Sequence, residues 1–216
     1  MTDFPTLLDG YRRFRVGAYR EQRERYDRLV QGQSPRTMVI ACSDSRVDPT
    51  RVFDSGPGEM FVLRNIANLV PPLAEIHGQS SVAAALEYAV TVLEVEDVVV
   101  FGHARCGGIA ASLAGEFDSD RPGVGRHVHA WMELISPARD SVLAAAAISP
   151  DVDRQRALEQ AAVRLSLQNL RTYPFVAAAE RDGRLRLHGA IFDIADGSLR
   201  LFDAATNAFH EVPVDL

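Results

Sequence analysis

The chain has 216 residues, 29 acidic and 23 basic, and a net charge of −6 at neutral pH; every basic residue is Arg. That balance argues against sequence-independent nucleic-acid binding, which needs a basic face, and the lack of Lys excludes Schiff-base chemistry and a lysine-dependent phosphate loop. Two cysteines, Cys42 and Cys106, are too few for a disulfide scaffold, while the length suits one domain (1–216) that buries its core without staples.

Residues 5–31 pattern as one amphipathic helix, with Leu7, Leu8, Tyr11, Phe14, Ala18 and Tyr26 on a stripe and Arg and Glu opposite. This makes 1–34 a helical arm, expected to pack on its own domain or on a partner subunit. The N-terminus has no secretory-type apolar core. No apolar stretch approaches the roughly 20 residues needed to span a bilayer. A cytoplasmic protein without membrane contact is the expectation, and there cysteines serve metals or catalysis more often than disulfides.

Thr37–Cys42 is a short apolar run of strand length that ends in a polar cluster, Cys42-Ser-Asp-Ser-Arg46. Gly56-Pro-Gly58 signals a turn before a second run, Met60–Leu63. Ser80–Leu93 has the length of a buried helix, and Val98–Phe101 is β-branched. A second polar cluster, Gly102-His-Ala-Arg-Cys-Gly-Gly108, leads into another helical stretch. A polar loop spans 115–125. Helices are expected over 126–147, kinked or broken at Pro137, and over 153–172. Leu185–Ile194 and Leu199–Phe202, around Asp196-Gly197, pattern as a β-hairpin. The fold class is therefore α/β: a mostly parallel central sheet flanked by helices, with the N-terminal arm and the C-terminal hairpin.

In such sheets functional groups gather beyond the carboxyl ends of the strands. If the runs ending at Cys42 and His103 are neighbours, then Cys42, His103 and Cys106 converge, with Asp44 beside them. Two thiolates and an imidazole suit Zn²⁺ and leave a fourth position open. Arg46, two residues from Asp44, can grip its carboxylate with both prongs and keep it ionised. Such an Asp can accept or orient a proton of water at the metal. If Arg46 let go, Asp44 could take the open position itself. Singly, each residue has a plainer reading: an apolar filler, a satisfied polar group, a surface ion pair. Their joint placement, with both cysteines at or just after strand ends, is the signal.

These clusters resemble the two signatures of the β-class carbonic anhydrases. The similarity continues through Pro57–Asn68, Glu87–Val90, Leu167–Pro174 and His188–Ile194. The resemblance implies a carbonate dehydratase, a zinc lyase. It would interconvert CO₂ and bicarbonate through zinc-bound hydroxide, with one Zn²⁺ per chain on Cys42, His103 and Cys106 and with Asp44 and Arg46 as catalytic dyad. It further implies a substrate pocket of Gln33, Phe61, Ile66 and Tyr88, with the Gly107 N–H offered to the bound anion. In the family, Gln33, Phe61 and Tyr88 reach the zinc from the partner of a homodimer, which can assemble further. Some bacterial members also carry a regulatory bicarbonate site of Trp, Arg and Tyr. Arg64 matches the Arg, but Val39 and Phe192 stand at the other two positions, so the open form with Asp44 off the metal is expected. The alternatives are hydrolysis of carbonyl sulfide or carbon disulfide on the same fold, a non-catalytic zinc protein, and a redox-sensing dithiol. His77, His127 and His129 are expected to be surface histidines, and His188 a structural one.

Overall fold

The computed structural model describes residues 2–76, 78–117 and 126–214. Among the described residues, six strands form one sheet: β1 (Thr37–Cys42), β2 (Met60–Asn65), β3 (Asp97–His103), β4 (Arg186–Phe192), β5 (Leu199–Asp203) and β6 (Ala208–Glu211). Their order is β2-β1-β3-β4-β5-β6. The first four strands run parallel, and β5 and β6 are added antiparallel. β1 and β3 are apolar without alternation because both sheet faces are covered. Met38, Ile40, Val98 and Val100 belong to the larger core, while Val39, Ala41 and Phe101 face the other side.

The helices are α1 (Phe4–Val16), α2 (Ala18–Glu21), α3 (Arg23–Leu29), α4 (Pro49–Val52), α5 (Ser81–Glu87), α6 (Gly107–Leu113), α7 (Arg126–Met132), α8 (Ser136–Ile148), α9 (Arg154–Leu170) and α10 (Pro174–Arg181). No helix of the described residues is long and apolar enough to cross a membrane.

Four expectations need correction. The stretch 5–31 is three helices, because the chain breaks at Gly17 (φ −103°, ψ −104°) and at Gln22. None of the three buries a residue against this chain; Phe4, Leu7, Tyr11 and Val16 stay more than half exposed. The helix expected over 80–93 loosens after Glu87 into a π-helical turn, Tyr88–Val92, with Thr91 Oγ1 donating to the Glu87 carbonyl at 2.7 Å. Pro137 does not kink a helix. It sits in the first turn of α8, where its missing N–H costs nothing, after a 3₁₀ turn at Glu133–Ile135 has already ended α7. The C-terminal hairpin is real but incomplete. β4 is also the fourth parallel strand, and β6 extends β5 on its outer side. Of the loop expected over 115–125, residues 118–125 lie outside the described residues, as does His77.

α9 lies on β3 and β4, and two glycines allow the approach. A Cβ on Gly102 would sit 2.8 Å from Val163; one on Gly189 would meet Val163 at 2.8 Å and both Leu167 and Phe202 at 3.0 Å. Gly189→Ala is therefore expected to cost about 1–3 kcal/mol by overpacking. Urea unfolding should show a lower midpoint at unchanged m-value.

Candidate metal centre

β1 and β3 are parallel neighbours in register, Ala41 opposite Phe101, so Cys42 and His103 emerge at the same edge of the sheet. Three residues after His103, Cys106 is the N-cap of α6. The turn between them passes through Arg105, held in the left-handed region (φ 57°). The Cys42 and Cys106 sulfurs lie 4.0 Å apart, and all three donor atoms fall within 4.8 Å of one another. Tetrahedral coordination with Zn–S bonds of about 2.3 Å separates two sulfurs by roughly 3.8 Å, so the spacing fits. Among the described residues, no other group of three such side chains converges.

The imidazole is set for a ligand. His103 Nδ1 lies 2.9 Å from the Ala104 carbonyl, which fixes the tautomer with Nε2 as acceptor. Nε2 is buried and, among the described residues, has no hydrogen-bond partner. An orphaned imidazole nitrogen facing two sulfurs is what a zinc site requires. Between the two sulfurs, the Cys106 S–H donated to Cys42 draws the Cys42 thiol well below its ordinary value despite burial. The neighbouring thiolate and burial push Cys106 up; the Ile109 and Gly108 amides act the other way. A metal takes both as thiolates.

Asp44 and Arg46 follow directly. Arg46 Nε donates to Asp44 Oδ1 at 2.9 Å and Nη2 to Oδ2 at 2.7 Å; the Arg46 backbone N–H adds a third bond to Oδ1 at 3.0 Å. This grip holds the carboxyl well below the ordinary carboxylate range. Arg46 Nη2 also donates to the Arg105 carbonyl at 2.8 Å and so ties the carboxylate to the second cluster. Asp44 Oδ2 lies 3.8 Å from His103 Nε2, at the edge of the donor set. Arg64, on β2, donates to the carbonyls of Cys42, Asp44 and Val47 at 2.7–2.9 Å and laces the turn that carries Asp44.

The expected pocket residues divide. Ile66 follows β2 beside Cys42, and its Cγ2 would lie 3.1 Å from a Cβ on Gly108. It is 42% exposed, and it lines a groove with Ser43, Asn65, Val82, His127 and Trp131. Gly107 opens α6, and a Cβ there would meet nothing within 4 Å. Phe61, by contrast, is opposite Met38. That is four residues along β1 from Cys42, or about 13 Å at ~3.3 Å per residue. Tyr88 packs on Phe61 with ring centroids 5.9 Å apart, and exposed Gln33 precedes the start of β1. These three therefore belong to the opposite end of the strands from their own chain's metal cluster.

Of the remaining histidines, His188 bonds Asp97 at 2.8 Å, in an ion-pair cluster with Arg186. His129 Nδ1 bonds the Phe117 carbonyl, and His127 lines the groove beside Ile66. Sequence reading missed Glu159 and Gln155. Glu159 is buried on α9, and one of its oxygens accepts the Cys106 backbone N–H at 2.9 Å. Burial raises its pKa against that bond and the one from Gln155. The signal was present: Glu159 is a charge on the face of α9 that also carries Val163 and Leu167.

A parallel sheet edge that presents two sulfurs, one imidazole and an Arg-held carboxylate defines an α/β zinc protein. A family model described as carbonic anhydrase matches residues 37–199. Beta carbonic anhydrase 3 of Arabidopsis thaliana is 36% identical over 197 residues, 91% of this chain and 76% of that protein. A carbonic anhydrase of Synechococcus elongatus is 34% identical over 194 residues, 89% of this chain and 69% of that one. The solved structure of the β-carbonic anhydrase CcaA superposes with a TM-score of 0.88 at 32% identity, covering 96% of this chain and 91% of that chain. A tetrameric β-carbonic anhydrase from Sordaria macrospora gives a TM-score of 0.80 at 28% identity, covering 93% and 97%. The chain belongs to the β-carbonic anhydrase family. It is a zinc-dependent lyase that hydrates CO₂ reversibly to bicarbonate.

Proposed function

We propose that Cys42, His103 and Cys106 hold the ion, that Asp44 and Arg46 are the catalytic dyad, and that a second copy of the chain completes the substrate pocket. The observation that carries the reading is the ionised Asp44 carboxylate, gripped by Arg46 at 2.9 and 2.7 Å, at the edge of the three-donor cluster. Bound Zn²⁺ acidifies water and supplies the nucleophile at neutral pH. Asp44, its Oδ2 at the edge of the donor set, would accept or orient a proton there. Arg46 keeps the carboxylate charged and aimed. The Gly107 N–H, in the first turn of α6 beside Cys106, is the donor offered to the product anion.

CO₂ is apolar, so an apolar wall with few donors suffices to hold it. Ile66 supplies that wall from the same chain, and the partner supplies its own copies of Gln33, Phe61 and Tyr88. The strand register supports this, since it separates those three from the cluster of their own chain. The uncovered apolar face of α1, and Tyr88 at 44% exposure, support a homodimer. Asp44 is proposed to stay with Arg46 near neutral pH. Val39 and Phe192 carry no polar side chain, and Arg64 commits Nε and Nη2 to three main-chain carbonyls, with Nη1 4.0 Å from Asp48. A zinc-loaded crystal at neutral pH with Asp44 bonded to the metal would overturn that. Two buried thiols that must remain reduced fit a cytoplasmic setting.

The test is stopped-flow CO₂ hydration on protein with its zinc quantified. Hydration at about one zinc per chain is expected across the roughly pH 7–9 range in which a metal-activated water works. Full zinc with no hydration, or a faster turnover of carbonyl sulfide than of CO₂, would overturn the reading.

A further inference from the structure

Glu159 is a buried carboxylate, only 5% exposed, that makes no ion pair among the described residues. Packing does not ask for it. α9 fills the neighbouring buried positions with Leu158, Ala162 and Val163, and a buried unpaired charge is costly. Its bonds all lead to one place. Oε1 accepts the Cys106 N–H at 2.9 Å and Gln155 Nε2–H at 3.1 Å, and the same Gln155 amide reaches the Cys106 carbonyl at 3.4 Å. One side chain thus holds the N–H of Cys106, and its neighbour one turn earlier holds the C=O.

The turn from His103 to Cys106 needs such holding. Arg105 is left-handed at φ 57°, and Cys106 stands before α6 at φ −65°, ψ 122°. The Ala104 carbonyl is held by His103 and the Arg105 carbonyl by Arg46, both from within the two clusters. The Phe192 carbonyl accepts the Ala104 N–H at 2.8 Å, but among the described residues it is Glu159 and Gln155 that hold the backbone N–H and C=O of Cys106 itself from a distant part of the chain. We infer that Glu159, assisted by Gln155, is a positioning residue for the Cys106 sulfur, and that it acts through its acceptor oxygen rather than through its charge. The inference rests on the reading of Cys106 as a metal ligand. A sulfur bound to zinc tolerates little displacement, and outer partners of ligating groups typically govern 10–100-fold of metal affinity. Glu159 and Gln155 also line a cavity of about 340 Å³ with Arg105 and Arg156, which gives the NH₂ of a substituted Gln room.

The experiment compares full-length parent, Glu159→Ala, Glu159→Gln, Gln155→Ala and Cys106→Ser, each stripped and reloaded. Zinc affinity is read by chelator competition, and the sulfur-to-cobalt absorption of the Co²⁺ forms is recorded. Glu159→Ala is expected to bind zinc about 10–100-fold more weakly and to shift the cobalt band. Glu159→Gln should stay within a few-fold of the parent with an unshifted band, and Gln155→Ala should fall several-fold. Parent-like affinity and band in Glu159→Ala would overturn the inference, as would Glu159→Gln behaving like Glu159→Ala. If Glu159→Ala does not fold, the other two decide, and parent-like zinc affinity in Gln155→Ala overturns it. Cys106→Ser separates the two readings. If it keeps parent-like zinc, the ligand assignment itself falls; if it loses zinc while Glu159→Ala does not, the positioning role alone falls.

Discussion

Arg46→Ala is expected to keep about one zinc per chain and to lose roughly 10²–10³-fold in kcat/KM for CO₂ hydration, about 2.7–4 kcal/mol of transition-state stabilisation. The size follows from how much one guanidinium does. It fixes both Asp44 oxygens, and it joins them to the Arg105 carbonyl in the turn between His103 and Cys106. Without it, the carboxylate can rotate toward His103 Nε2, already 3.8 Å away, and occupy the space where water must sit. Arg46→Lys should recover little, because an ammonium cannot grip two oxygens and a carbonyl in one plane. The pH behaviour separates positioning from titration. Arg46 lowers the Asp44 pKa from an ordinary 3.8, so its loss lets that value rise back toward 3.8. The group remains ionised at neutral pH either way. The activity profile near neutrality should therefore drop in height and keep its shape. Stability gives the complementary sign. The Asp44–Arg46 pair contributes above the ordinary carboxylate pKa, and its contribution fades as pH falls through the lowered one, so parent and variant should converge in strong acid. Stopped-flow hydration on zinc-quantified samples checks the first claim, and parent-like activity in Arg46→Ala would remove the dyad.

Much of this was legible in the chain because the signal was local. β1 and β3 are uninterrupted apolar runs, each followed at once by its polar cluster. The one inference needed was that they are neighbours, and parallel α/β rules supply it. What was not legible depends on contacts distant in sequence. β6 is four residues long and half-exposed, and only pairing with β5 makes it a strand. The break at Gly17 lies within a stripe whose period continues across it, so periodicity alone cannot register it. Arg64 matches a family position associated with bicarbonate, yet its donors go to three main-chain carbonyls of the Asp44 turn. Glu159 was visible only as a charge out of place, and its partner on Cys106 is 53 positions away.

The same separation along the sheet yields a prediction that needs no structure of the assembly. Cys106→Ser removes one sulfur of the donor set, and the proposed homodimer built from it should hold no stoichiometric zinc and show no hydration. The double variant Gln33→Ala, Tyr88→Ala should keep zinc but hydrate CO₂ far more slowly if these two are polar members of the pocket, as proposed; both side chains are exposed in the single chain, so folding is spared. Mixing the two after dissociation and reassociation distinguishes cis from trans. If Gln33 and Tyr88 serve their own chain, every site in a mixed dimer carries one defect or the other, and the mixture is no more active than its parts. If they serve the partner, one site of each mixed dimer combines intact sulfurs from one chain with intact Gln33 and Tyr88 from the other. Random pairing makes half of the dimers mixed, so roughly a quarter of parent activity should return, in proportion to the mixed species resolved by a mass tag. The geometry favours trans, since Phe61 lies opposite Met38 and Tyr88 packs on Phe61, both at the far end of the strands from Cys42. Mixed dimers formed in the expected proportion without any recovered hydration would show that each chain builds its pocket alone.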